Sequence, residues 1–391
     1  MNQIKFFPES QRMPFSAILK YVPMDHVKHA LCVTNRNDLR ERAMPNKQTV
    51  YFTIGMSLFS AFSYQDVLRN LRDTVDLTEG YSEPAKIVAK SAISKARQRV
   101  GYEPLAELFR YVVAPIAVPG KTKGAFAFGR RLVAIDGLVA DVPDTPENDR
   151  EFPRSSTASG PCAYPQVRVV ALVECGTRVL FDYELTNGKK QSEKALAREL
   201  LPRLQKGQLC LADRLYSDYK TWMIAANTGA DLLWRVKSDI KLEKLQEYKD
   251  GSYLSRLYSG DRRKGIYVEI RVIQYIVRHK GKSENYRLIT TLSPTEASAN
   301  KLKELYQERW EWECFAAEFK NELNQVRDVL RSNLPDLVRQ ELVASFLAHY
   351  AIRCFMHDAA LSAKIDTDTL SFKHSLGVVR QTLSCARAFS P

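Results

Sequence analysis

The feature that most restricts what this chain can fold into is a change of hydrophobic period near residue 131. Upstream, DLRERAMPNKQTVYFTIGMSLFSAFSYQDVLRNLRDTV and SAISKARQRVGYEPLAELFRYVVAPI repeat apolar residues at helical spacing, interleaved with Arg and Lys. Downstream, RLVAIDGLVADV, PQVRVVALVE and TRVLFDYELTNG are β-branched runs bounded by Gly, Pro, Asn and Asp, and they predict three successive strands. SEKALARELLPRL then predicts a helix, QLCLADR a fourth strand, SDYKTWMIAANTG a helix with Ser217 as N-cap, and DLLWRVK a fifth strand. Three meandering strands followed by alternating helix and strand predict an α/β fold, a mixed sheet flanked by helices.

The expected organisation follows from these shifts. Residues 1–118 form a helical basic domain, and the Pro/Gly/Lys-rich 119–130 a linker. Residues 131–237 form the first part of the α/β domain. Segment 238–285 interrupts the alternation with polar and aromatic β-prone runs such as GIYVEIRVIQYIVRHK, a β-rich insertion. Residues 286–330 resume with the strand YRLITTL and a long helix containing YQERWEWECFAAEFK, and 331–391 is a C-terminal helical region.

Charge restricts the partner. The chain carries a formal +13 at neutral pH. Residues 1–131 hold 20 Lys and Arg against 11 Asp and Glu, a balance of +9, and 235–290 hold 14 against 7, a balance of +7. Two basic segments and no run of apolar residues long enough to span a bilayer favour nucleic acid over a membrane. Seven scattered Cys without a CxxC pair, and six His without metal-ligand spacing, fit a reduced cytoplasmic protein rather than a disulfide or zinc scaffold. Ser94, Lys95, Arg97, Gln98 and Arg99 make one dense polar helix face, read as phosphate contacts or as a solvated surface.

Two aspartates occupy demanding positions. Asp136 ends the apolar strand RLVAIDG, and Asp213 ends QLCLADR. The carboxyl edge of an open α/β sheet is where ligands bind, although a strand-ending aspartate can also simply cap a turn. A matching glutamate lies in YQERWEWECFAAEFK. At about 100° per residue, Tyr306, Arg309, Glu313 and Lys320 fall within about 60° of arc. Leu305, Trp312, Ala316, Phe319 and Leu323 form the expected buried stripe, and Glu304, Glu308, Glu311, Glu318 and Glu322 the solvated face. Ordinary i,i+4 pairing accounts for Arg309 with Glu313 but not for Tyr306 and Lys320. Asp136, Asp213 and Glu313 can hold two Mg²⁺ ions, hard cations that take carboxylate oxygens, with Mn²⁺ as a substitute. Two such metals serve phosphodiester displacement.

Tyr306, Arg309, Glu313 and Lys320 match Y-x2-R-x3-E-x6-K, the YREK signature of bacterial insertion-sequence DDE transposases of the insertion sequence family four type. Asp136 followed by Gly resembles that family's first catalytic aspartate, and Asp213 in LADRLYSD its second, where the usual context is D-R-G-Y. Leu215 stands where glycine is common, a departure that leaves the aspartate in place. The S-x5-RQRxG pattern in SAISKARQRVG and the tail SFKHSLGVVR are also similar. The resemblance covers nearly the whole chain. It implies a ribonuclease-H-like mixed sheet with flanking helices, a β-rich insertion between Asp213 and Glu313, and a helical N-terminal DNA-binding domain for terminal inverted repeats. It implies cleavage at transposon ends, joining of 3′-hydroxyls to target DNA, and a homodimer pairing two ends in a nucleoid-associated complex. Tyr306, Arg309 and Lys320 would then position the DNA backbone, with Arg214 and Lys237 as further phosphate contacts or as surface ion pairs. Trp310 would stack on a base or pack against the insertion. Two rivals share these residues: a transposase derivative that only binds DNA, and a nuclease on the same fold that cuts without joining.

Overall fold

The computed structural model describes residues 16–40, 42–69, 71, 88–157, 160–186, 188, 192–260, 262–279, 282–323 and 329–385. The start of the chain and the end of the predicted helix at 72–75 lie outside these. Two compact units emerge, each assembled from separated stretches: 115–139 with 167–316, and 1–114 with 140–166 and 317–391.

The first of these units is built on the sheet. Its main strands are β1 (Arg130–Asp141), β2 (Gln166–Glu174), β3 (Val179–Leu185), β4 (Gln208–Ala212), β5 (Asp231–Arg235), β6 (Tyr253–Tyr258), β7 (Tyr267–His279) and β8 (Lys282–Thr290). Their order is β3-β2-β1-β4-β5-β8-β7-β6, extended by two-residue strands at Phe126–Ala127 and Gln246–Glu247. β1, β4 and β5 run parallel to their neighbours in that trio, while β5 with β8 and β2 with β3 pair antiparallel. The sheet is therefore mixed, as the strand pattern predicts. All five residues of QLCLA are buried, as expected of a central parallel strand covered on both faces. The insertion is not a separate layer. Its strands β6–β8 continue the same sheet, and YRLITTL forms the end of the long strand β8 rather than a strand of its own.

Helices Glu193–Leu200 and Tyr219–Ala226 cover one face, burying Leu196, Leu200, Trp222 and Ala225 against Val133, Ile135, Cys210 and Trp234. Trp222 meets Trp234 edge-on with centroids 5.2 Å apart. The second of these helices is capped by Asp218, whose carboxylate accepts the Thr221 N–H, and not by Ser217. Ser217 turns its hydroxyl back to the Arg214 carbonyl at 2.9 Å, closing the tight turn that follows Asp213.

The other unit is helical. Asn46–Leu58, Lys90–Val100 and Glu103–Val112 surround the 29-residue helix Pro335–Ala363, which starts with Pro at its first position, where no N–H is needed. Its centre is buried all round, and Ser345 meets Ser57 of Asn46–Leu58 at 2.7 Å. No described helix is long and apolar enough to cross a membrane.

Candidate active site

Strand register brings the two aspartates level. In the parallel ladder of β1 and β4, Ile135 pairs with Ala212, so the next residue of each strand is Asp136 and Asp213. β4 stops there, and the chain turns into the short 3-10 helix Arg214–Tyr216. β1 does not stop. Asp136 lies inside a strand that runs on to Asp141, because β1 continues beside β2 past the end of β4.

The stretch 299–323 is not one α-helix. It is α-helical over Ala299–Leu305, tightens to 3-10 over Tyr306–Arg309, returns to α over Trp310–Ala317 and widens to a π-helix over Glu318–Leu323. A uniform 100° step therefore misplaces several residues. Trp312, Phe319 and Leu323 are buried as expected, but so are Glu311 and Glu318. Each buried glutamate has partners that the count could not supply. Glu311 takes the Arg178 guanidinium at 3.0 Å and the Gly176 N–H, and Glu318 takes Arg353 and His349.

Tertiary bonds fix the position of the glutamate helix. The buried Tyr306 donates its hydroxyl to the Ala212 carbonyl at 3.1 Å, one residue before Asp213. Trp312 donates its indole N–H to the Ala171 carbonyl of β2 at 3.2 Å. Arg309 then reaches two of the three acids: Nη2 donates to Glu313 Oε1 at 2.7 Å, and Nη1 lies 3.5 Å from Asp136 Oδ2. Asp136, Asp213, Tyr306, Arg309 and Glu313 thus form one cluster. Arg214 follows Asp213 and is exposed, and Lys237 lies two residues beyond β5, with its own carbonyl accepting from Arg287. Trp310 is 62% exposed, with the Arg309 guanidinium 6.0 Å from its ring. Lys320 is exposed on the π-helical segment, in the helical unit.

A fourth carboxylate, which nothing in the sequence marks out, stands beside the first aspartate. Glu193, at the start of Glu193–Leu200, accepts the buried Tyr216 hydroxyl at 2.9 Å and packs so tightly on Gly137 that a Cβ there would lie 2.5 Å from its carboxyl carbon. In the sequence it looks like an ordinary first-turn acid favoured by the helix dipole. Burial pushes the Asp136 carboxyl up to about 6, and the Glu193 and Asp213 charges add to that, against the Gly137 N–H and Arg309. Among the described residues no three Asp, Glu, His or Cys are drawn together closely enough to hold a metal ion directly. Arg309 stands between Asp136 and Glu313 instead. The chemistry of the set still fits a divalent cation: hard oxygen donors carry negative charge in excess of their one guanidinium, and burial penalises that excess.

The family profile described as transposase DDE domain matches residues 127–351, and the one described as insertion element 4 transposase N-terminal matches residues 12–110. The transposase InsG for insertion sequence element IS4 of Escherichia coli (strain K12) is 28% identical over 401 residues, covering 98% of this chain and 86% of that protein. The putative transposase InsZ of the same strain is 26% identical over 238 residues, 60% of this chain and 76% of its own length. Among solved structures, the piggyBac transposase in a synaptic complex with hairpin DNA superposes with a TM-score of 0.52 at 9% identity, over 97% of this chain and 82% of that one. That likeness concerns the fold, the ribonuclease-H-like arrangement that the sheet order displays. The chain belongs to the family of transposases with a DDE domain and carries the insertion element 4 type of N-terminal region.

Proposed function

We propose that this transposase cuts phosphodiester bonds at the inverted-repeat ends of an insertion sequence and joins the freed 3′-hydroxyls to target DNA. The observation that carries this reading is the level pairing of Asp136 and Asp213 on parallel strands, with Arg309 linking Asp136 to Glu313. Asp136, Asp213 and Glu313 are the residues that would hold two Mg²⁺ ions. When bound, those ions supply activation of the attacking oxygen and stabilisation of the leaving one.

The chain's own groups do the rest. Tyr306 holds the glutamate helix to the end of β4, which keeps Glu313 and Asp213 in register. Arg309 balances the charges of Asp136 and Glu313, and its planar fork has the geometry to hold a phosphate beside them. Lys320, Arg214 and Lys237 contact DNA phosphates, and Trp310 offers an exposed ring for a base near the cut. Two protomers pair the two ends in a homodimer, in the bacterial cytoplasm where the target DNA lies.

The test is an in vitro reaction of wild type and Glu313→Gln with duplexes carrying candidate ends. Mg²⁺-dependent nicks and joined products from wild type, absent with Glu313→Gln, are expected. Cutting without any joining of a supplied 3′-hydroxyl end would identify a nuclease instead. Binding with no cutting by wild type would identify a DNA-binding derivative.

A further inference from the structure

The helical unit contains a cleft of about 440 Å³ that the chemistry at Asp136 does not use. One wall is the helix Lys90–Val100, where Lys90, Ser94 and Gln98 stand at i, i+4 and i+8 and so share a face. The facing wall includes Arg331 and Asn333. Arg97 closes the cleft from within. Among the described residues no aspartate or glutamate lines it.

Arg97 separates this cleft from a merely solvated helix face. It is 1% exposed, and its guanidinium donates to Gln340 Oε1 at 2.9 Å, Tyr64 Oη at 3.1 Å, Ser332 Oγ at 2.9 Å and the Leu337 carbonyl at 3.2 Å. All four acceptors are neutral. Among the described residues Arg97 is linked to an acid indirectly, through Ser332, whose hydroxyl donates in turn to Glu341. Burying a cation among neutral acceptors is unfavourable unless something else uses its field. Here that field opens onto a cleft that already holds Lys90. Lys95 and Arg99, on the same polar stretch of sequence, are arranged differently: Lys95 points to solvent outside the cleft, and Arg99 is bound to Asn46 and the Met44 carbonyl.

We propose that this cleft is a seat for the DNA sugar–phosphate backbone. Lys90 supplies a point charge, Gln98 supplies a donor beside it, and Asn333 supplies a further donor from the facing wall, while the Ser94 hydroxyl donates back to the Lys90 carbonyl. Arg97, locked by its four bonds, contributes a fixed positive potential. The assignment rests on the reading of DNA as substrate, but it is independent of which residues perform the cut.

Full-length protein is titrated against a fluorescent duplex carrying a candidate end, in EDTA, across a range of salt concentrations. In EDTA the chemistry plays no part. Lys90→Ala is expected to weaken binding severalfold and to lower the salt slope by about 1, the signature of one lost phosphate contact. Gln98→Glu, which places an acid in the cleft, is expected to weaken binding more than about tenfold by like-charge repulsion with phosphate. The control is Arg110→Ala, which removes an exposed charge paired with Glu107 outside the cleft and should leave the slope unchanged. Thermal unfolding confirms that each variant is folded. Wild-type affinity and slope in both cleft variants would overturn the proposal, as would an Arg110→Ala loss equal to that of Lys90→Ala. If the cleft variants bind like wild type while wild type still cuts and joins, only the cleft assignment fails. If wild type binds and its Glu313→Gln variant still cuts, only the catalytic assignment fails.

Discussion

Replacing Gly137 with alanine would place a methyl carbon 2.5 Å from the carboxyl carbon of Glu193 and 2.8 Å from each of its oxygens. Gly137 does not have a left-handed backbone, so alanine fits its main-chain conformation and the whole penalty falls on that contact. The Glu193 carboxylate, the far end of a flexible side chain, must swing away. Tyr216, fully buried, then loses the acceptor of its hydroxyl. A buried donor left unpaired costs about 1–3 kcal/mol, and overpacking without movement costs about the same. A loss of about 2 kcal/mol in unfolding free energy is therefore expected, read by denaturant titration with tryptophan fluorescence. Asp136 is the adjacent residue, so cleavage should fall as well, by up to about a hundredfold for a shift of about 1 Å. The decisive comparison is a double-mutant cycle. In a Glu193→Ala background the obstacle is gone, and Gly137→Ala should cost less than about 0.5 kcal/mol. An equal cost in both backgrounds, or none in wild type, would refute the argument.

Three further outcomes follow from the same geometry. Asp250, within the insertion, ties it to the start of the helix Ala299–Leu305. Burial alone would raise its pKa, but hydrogen bonds from Ser252 and the Ala299 N–H, with the Arg271 charge, bring it from 3.8 down to about 2. A depressed carboxylate stabilises the fold above its unfolded pKa and loses that contribution as pH falls from about 4 through about 2. The difference amounts to about 2 kcal/mol, and Asp250→Asn should flatten the stability profile across that window; an unchanged acid limb would count against it. Tyr306→Phe should cost about 1 kcal/mol and slow cleavage while leaving DNA affinity in EDTA unaltered, since its hydroxyl is bonded to Ala212. Loss of DNA affinity instead would mean that the hydroxyl contacts DNA. Mg²⁺ should raise the melting temperature of wild type, by an amount equivalent to about 2.7 kcal/mol at a hundredfold excess over its dissociation constant. Chelation should reverse the shift and Asp213→Asn abolish it, whereas an equal shift in that variant would place the ions elsewhere.

What the sequence made legible was local. The apolar runs around Val133, Val170 and Leu211, the first two rich in β-branched residues, announce their strands because strand period and burial are written into adjacent residues. The two aspartates are visible because a charge at the end of such a run has few places to go. What stayed hidden depends on distant partners. Glu311 and Glu318 look solvated until Arg178, Arg353 and His349 arrive from other elements. The tightening at Tyr306 and the widening at Glu318 shift the helical register, and no count at a fixed angle detects either. Glu193 is indistinguishable from any helix-starting acid until β1 brings Gly137 against it. Arg97 belongs to a basic run in the sequence and to a buried network in the fold.

The most direct test of the central claim is the single-turnover rate of end cleavage at saturating DNA and Mg²⁺, compared between wild type and Asp136→Asn, Asp213→Asn and Glu313→Gln. All three substitutions keep side-chain volume and remove one charge. If the three carboxylates act as one metal-holding set, each variant should lose at least about a thousandfold in rate, and combining them should cost little more than any one alone. DNA affinity should be retained throughout. A variant of any one of the three that cleaves within about tenfold of wild type would contradict the assignment.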